Sequence, residues 1–159
     1  MERVTITIAT TIAIAVAGCV HRSPIDDGAR RRARAAALCE GLDATAMDRT
    51  LADDPGRVLG AEPITEFGGR PRRLRTVGVR MRVQGAPRAS SVSIEQLLSC
   101  QAARYAAGLV PGDRDPLAVA GIELRARPTG YGFELVLRAG DDRAAAEAAR
   151  RARILADAQ

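Results

Sequence analysis

The sequence has no tryptophan, no lysine and no asparagine, and its 159 residues include only two phenylalanines, two tyrosines and one histidine. Each absence removes a class of chemistry. Without a histidine other than His21, the serines Ser90, Ser91, Ser93 and Ser99 have no base for a nucleophilic triad. The same lack leaves no His and Cys set at metal-ligand spacing. Gly68-Gly69 has neither the helix start nor the lysine of a phosphate loop. The acidic pairs Asp53-Asp54 and Asp141-Asp142 stand where a loop or a helix cap needs a carboxylate. The formal charge of +5 is carried by arginine alone, a usage expected of a GC-rich genome. With no aromatic residues among those arginines to stack bases, nucleic acid is not the expected partner. No metal, cofactor or catalytic residue is expected.

What is present begins at the amino terminus. Arg3 is followed by an apolar run, Val4 to Ala17, broken only by threonines, and then by the small-residue site Val16-Ala17-Gly18-Cys19. A secretory signal needs a charged head, an apolar segment of roughly 7–15 residues and small residues before the cut. A spanning helix would need about 20 apolar residues, and here Cys19, His21, Arg22 and Pro24 end the run early. The site resembles the lipobox of bacterial lipoproteins. The resemblance implies cleavage between Gly18 and Cys19, and a Cys19 that carries diacylglycerol and a third acyl chain. One acyl chain binds a membrane marginally, whereas two or more hold it stably. Glu2 departs from the pattern by cancelling Arg3.

The expected organisation is therefore a signal peptide over 1–18, a tether over 19–27 and one domain over 28–159. Its partner through acylated Cys19 is membrane lipid, and its place is the cell envelope, facing the periplasm, with the outer membrane favoured over the inner. In that oxidising compartment the remaining cysteines, Cys39 and Cys100, are an even pair expected to form a disulfide. The alternative is a thiol-redox or metal-handling pair. Such a pair needs a neighbouring base to lower a thiol pKa, and His21 lies beside the anchor instead.

Along the domain, Asp26 or Asp27 is a candidate cap for a helix from about Ala29 to Glu40 that ends at Gly41, with Ala33, Ala36, Ala37 and Cys39 as its small-residue face. Arg30, Arg31, Arg32 and Arg34 would crowd the positive end of its dipole. Asp43 to Leu51 offers another helical turn. Arg57 to Phe67 reads as a strand that Pro63 confines to an edge. Arg72 to Gln84 alternates Val77, Val79, Met81 and Val83 with polar residues, the strongest strand pattern in the chain. Ser93 and Gln96 fit a capping box for a helix from Ile94 to Gly108 with a stripe of Ile94, Leu97, Leu98, Ala102, Tyr105 and Leu109. Ile122 to Arg127 and Tyr131 to Arg138 read as a second hairpin around Pro128-Thr129-Gly130. Asp141 or Asp142 caps a last helix, Arg143 to Asp157, whose inward face is Ala145, Ala148, Ala149, Ala152 and Leu155.

Two hairpin-plus-helix units predict an α+β fold: a two-layer sandwich with a four-stranded antiparallel sheet, helices on one face and an additional N-terminal helix. The candidate binding face is the outer side of the sheet, with Arg73, Arg75, Arg80, Arg82, Arg125, Arg127 and Arg138. Between about Ala37 and Leu155 the domain resembles a set of uncharacterised lipoproteins of proteobacteria and myxobacteria. The likeness is most specific at Cys100-Gln101-Ala102-Ala103-Arg104, where those proteins look like Cys-His-x-Ala-Arg, and at Asp115-Pro116-Leu117, where they look like Cys-Pro-Leu. Gln101 and Asp115 replace the histidine and the cysteine, and the resemblance implies no activity. The expected function is a non-enzymatic envelope module that binds another envelope protein or serves a structural role.

Overall fold

The computed structural model describes residues 24–54, 57–68, 71–85 and 89–158. Gly18, Cys19 and the first part of the expected tether lie outside the described residues. The elements in order are helix α1 (Pro24–Cys39), the short helix α2 (Ala44–Met47), strands β1 (Val58–Gly68) and β2 (Arg73–Gln84), helix α3 (Ser91–Ala106), a 3₁₀ turn at Pro116–Ala118, strands β3 (Ile122–Thr129) and β4 (Gly132–Ala139), and helix α4 (Asp142–Asp157).

All strand pairings are antiparallel and the sheet order is β1-β2-β4-β3. Each hairpin folds locally, and the two meet along β2 and β4, where Met81 is opposite Leu135 and Val83 opposite Phe133. The predicted alternation selects the face: Val79, Met81, Val83, Phe133, Leu135 and Leu137 are buried while Arg80, Arg82 and Arg138 are exposed. Helix α4 lies over β1 and β2 and helix α3 over β3, so β4 runs beneath the seam between them. The fold is the expected α+β sandwich with helices on one face.

Gly78 sits at the β2–β4 contact because a Cβ there would lie 2.1 Å from the Leu137 carbonyl oxygen. Both sheet edges are blunted. On edge strand β1, Pro63 lacks an N–H and the register slips near Leu59 and again between Ile64 and Thr65. On edge strand β3, the Glu95 carboxylate of α3 accepts from the Ala126 N–H at 3.3 Å.

Helix α4 matches its sequence reading: Asp141 caps it by accepting from the Ala144 N–H at 2.8 Å, and the five expected inward residues are all buried. The other helices differ in instructive ways. Helix α1 begins at Pro24, within the stretch expected to be tether, because proline suits a first helical position. The earlier start puts Asp27, not Arg30, in the first turn and so relieves the dipole conflict. Its inward residue is Ala35, with Leu38 and Cys39 half-buried, whereas Ala33, Ala36 and Ala37 are exposed. The bond from Cys39 fixes that rotation, since Ala35 precedes Cys39 by one turn. Helix α3 is capped by Ser90, whose hydroxyl accepts from the Ser93 N–H at 3.0 Å, not by Ser93 itself. It buries Leu98, Cys100, Gln101 and Ala103 and leaves Leu109 beyond its end exposed, because it carries α1 on one side and the sheet on the other.

Candidate functional site

Helix α3 is the element on which the amino-terminal segment is hung. Cys100, wholly buried, is bonded to Cys39 with the Cα atoms 4.9 Å apart. The Gln96 amide donates to the Glu40 carbonyl at 3.4 Å, the Gln101 amide donates to the Arg49 carbonyl, and Arg104 donates to the Met47 carbonyl at 2.6 Å. Arg104 also reaches Asp48 at 3.4 Å. Four side chains of one helix thus fasten residues 39–49. Cys100, Gln101 and Arg104 belong to the short stretch singled out by resemblance, and here all three serve this attachment. Gln101 Oε1 is buried without a hydrogen-bond partner.

The second singled-out stretch, Asp115-Pro116-Leu117, closes the far end of α3. Asp115 is 1% exposed, accepts from the Leu117 N–H at 2.8 Å and accepts from the Tyr105 hydroxyl at 3.1 Å. Burial pushes its carboxyl above the usual range. The Leu117 N–H, the Tyr105 hydroxyl and the Ala52 and Leu51 N–H groups pull the other way. Burial, then the Asp115 charge, pushes the Tyr105 phenol up as well. Arg151 of α4 donates to the Gly112 and Asp115 carbonyls at 2.9 and 3.2 Å, tying this loop to the second helix. Hydrophobic periodicity gives Asp115 no role. The signal that marks it is an aspartate followed by proline, the arrangement of a capped short helix.

The sign of the Asp115 effect on stability follows from its direction. A carboxyl whose folded pKa exceeds its unfolded value of 3.8 disfavours the fold while charged, and that cost disappears as pH falls through the folded value. Glu147 runs the opposite way. The Arg150 and Arg151 hydrogen bonds hold it at about 2, so its contribution is present above the free value of 4.5 and is lost towards pH 2. Asp115→Asn keeps an acceptor for Leu117, and its amide can donate to the Tyr105 hydroxyl. Its stability at pH 7 is expected within about 1 kcal/mol of the parent, with the mild-acid gain removed. Asp115→Ala, which loses the cap and the acceptor of the Tyr105 hydroxyl, is expected to cost about 2 kcal/mol. Urea midpoints at pH 7 and in mild acid check both.

The structure brings the arginines of the candidate binding face to one side of the sheet but does not leave them alone there. Arg80 lies opposite Glu62, Glu134 lies between Arg82 and Arg127, and Arg138 lies opposite Glu123. Arg80 pairs with Glu134 at 3.4 Å, Arg138 with Glu66 at 3.0 Å, and Arg125 reaches round the β3 edge to Glu95 at 3.3 Å. Exposed pairs of this kind add about 0–1 kcal/mol each. Their larger consequence is a face of alternating sign. Arg73 and Arg75 stand apart from it: β2 pairs with β4 only from Gly78 onward, so both lie on a two-stranded overhang. Val77 has no β1 partner between Gly78 and Thr76, and this extra residue reverses the alternation that would otherwise turn Arg75 towards the core side.

Among the described residues no three His, Cys, Asp or Glu side chains stand together as metal ligands, and no helix is long and apolar enough to cross a membrane. A shallow depression at the other end of the sheet is lined by Ser90, Ser91, Pro128, Thr129, Tyr131 and Phe133 and holds no charged group. No protein-family model, no curated protein and no solved structure matches this chain.

Proposed function

We propose that this protein is a lipoprotein of the bacterial cell envelope, anchored through an acylated Cys19 and presenting the α+β domain as a non-enzymatic binding or structural module. The observation that carries the reading is in the sequence: an apolar run too short to span a bilayer, ended by Val16-Ala17-Gly18-Cys19. The chain's other two cysteines are bonded to each other, which leaves Cys19 as the thiol for acylation. Diacylglycerol and an amide-linked acyl chain on Cys19 would hold the domain stably at the membrane. The partner of the domain is another envelope protein, met through the outer sheet face or α1.

Intact-mass analysis of native material tests the anchor. The expected result is a chain that starts at Cys19 with three acyl chains, found in the envelope fraction, and Cys19→Ser is expected to remain unprocessed and unacylated. An unmodified chain that starts at Met1 overturns the proposal. Titration of thiols in the same material separates the module from a thiol-redox protein: a bond between Cys39 and Cys100 that resists mild reductant supports the module, and one that cycles readily favours redox work.

A further inference from the structure

The β1–β2 overhang combines two features, an exposed apolar cross-strand pair and arginines without ion pairs among the described residues. Phe67 and Leu74 are register partners at its end, 72% and 59% exposed, so they form one apolar surface on the side opposite Glu66 and Arg75. Beside them Arg72 and Arg73 are exposed and carry no ion pair among the described residues, while Arg75 meets Asp142 only at 3.7 Å. The surrounding sequence is cationic without relief: the 28 residues from Phe67 to Ile94 include seven arginines and no acid. Of the acidic side chains near the tip, Glu66 is taken by Arg138 at 3.0 Å and Asp142 is the one that faces Arg75. By contrast Tyr131, 90% exposed in the β3–β4 turn, follows Pro128-Thr129-Gly130 and has no arginine in that turn.

We infer that the end of the β1–β2 hairpin is a membrane-docking element, with Phe67 and Leu74 entering the interface of an anionic phospholipid bilayer while Arg72 and Arg73 meet its phosphates. This deepens the proposed function and rests on it. Pro24 is five residues beyond Cys19, a reach of at most about 18 Å even when fully extended, and a domain of this size has a radius of gyration of about 14 Å. An acylated Cys19 would therefore hold the domain against the bilayer, and some part of its surface must face lipid. On the outer sheet face Glu62, Glu134 and Glu123 stand opposite Arg80, Arg82, Arg127 and Arg138. At the hairpin end Arg73 stands opposite Gly68. Apolar side chains with arginine at their margin are a composition that binds anionic interfaces, where each basic residue contributes about 1 kcal/mol.

The absence of tryptophan supplies the test. Phe67→Trp places a single indole at an exposed position, and the full acylated chain is reconstituted into vesicles of phosphatidylcholine, with or without phosphatidylglycerol. The expected result is a blue-shifted emission, quenched by brominated acyl chains, when phosphatidylglycerol is present. Adding Arg72→Ser and Arg73→Ser is expected to lower the inserted-to-free ratio roughly 30-fold. An indole that stays in water, or that buries equally without anionic lipid, overturns the inference. The two readings fail separately: acylation is read by mass on the same preparation, and an acylated, floating chain with a water-exposed indole sinks only the docking element.

Discussion

Removing the Cys39–Cys100 bond, by Cys39→Ala with Cys100→Ala, is expected to cost about 4 kcal/mol of unfolding free energy. The bond closes a loop with a sequence separation of 61 residues, and the chain entropy it withholds from the unfolded state sets that magnitude. Small domains have only about 5–15 kcal/mol in total, so the loss is a large share. The loss is also expected to be uneven. Helix α1 packs on α3 and has no comparable contact with the sheet, and its described inward side chains are Ala35, Leu38 and the sulfur itself. Alanine buries little area, so without the bond α1 is held by weak apolar contact and by the Gln96 hydrogen bond to Glu40 just past its end, while Gln101 and Arg104 hold residues 47–49. Amide exchange is expected to show residues 24–39 losing protection first while β2, β4 and α4 keep theirs. Equal protection across both helices, or an unchanged urea midpoint, would show that packing alone holds α1 in place.

Most of the sheet and all of α4 were legible in the sequence because a single signal decides them. Val79, Met81 and Val83 alternate with arginines, Phe133, Leu135 and Leu137 repeat the pattern, and each element has only one layer to pack against. Helix α4 reads cleanly for the same reason: Ala145, Ala148, Ala149, Ala152 and Leu155 form one stripe, and Asp141 has one role. Helices α1 and α3 were less legible because α3 is buried on two sides. A helix between a sheet and another helix needs two inward stripes, and the second is made of Cys100, Gln101 and Ala103, which no apolar period marks. Polar partners of Gln101 and Arg104 lie 52 and 57 residues away in sequence, beyond the range of local patterning. The outer face was half legible. Alternation found its arginines, but only the register across three pairings shows that glutamates stand opposite them, and only the bulge at Val77 explains why Arg73 and Arg75 join that side.

Leu135→Ala is expected to cost about 4 kcal/mol, towards the upper end of the range for such truncations. Leu135 is wholly buried on β4, opposite Met81 on one side and Ala126 on the other, between the strands covered by α3 and by α4. The cost of a truncation depends on how far the neighbours can relax into the space. Here Ala126, Ala148, Ala149 and Ala152 are four of the fourteen buried residues of the described core, and alanine has no rotamer with which to fill a void. The backbones of α4 and β2 would have to move instead, and the β2–β4 register, with Gly78 pressed against the Leu137 carbonyl, resists that shift. Met81, its register partner on β2, is a flexible neighbour, and Leu135→Met, which keeps the volume, is expected to cost less than about 1.5 kcal/mol. Ile154→Ala on the exposed side of α4 is the control and should stay near 0.5 kcal/mol. Urea unfolding of the three variants checks the order, and a Leu135→Ala loss close to that of Ile154→Ala would mean that the helix layer settles onto the sheet and that an alanine-built core is softer than its packing implies.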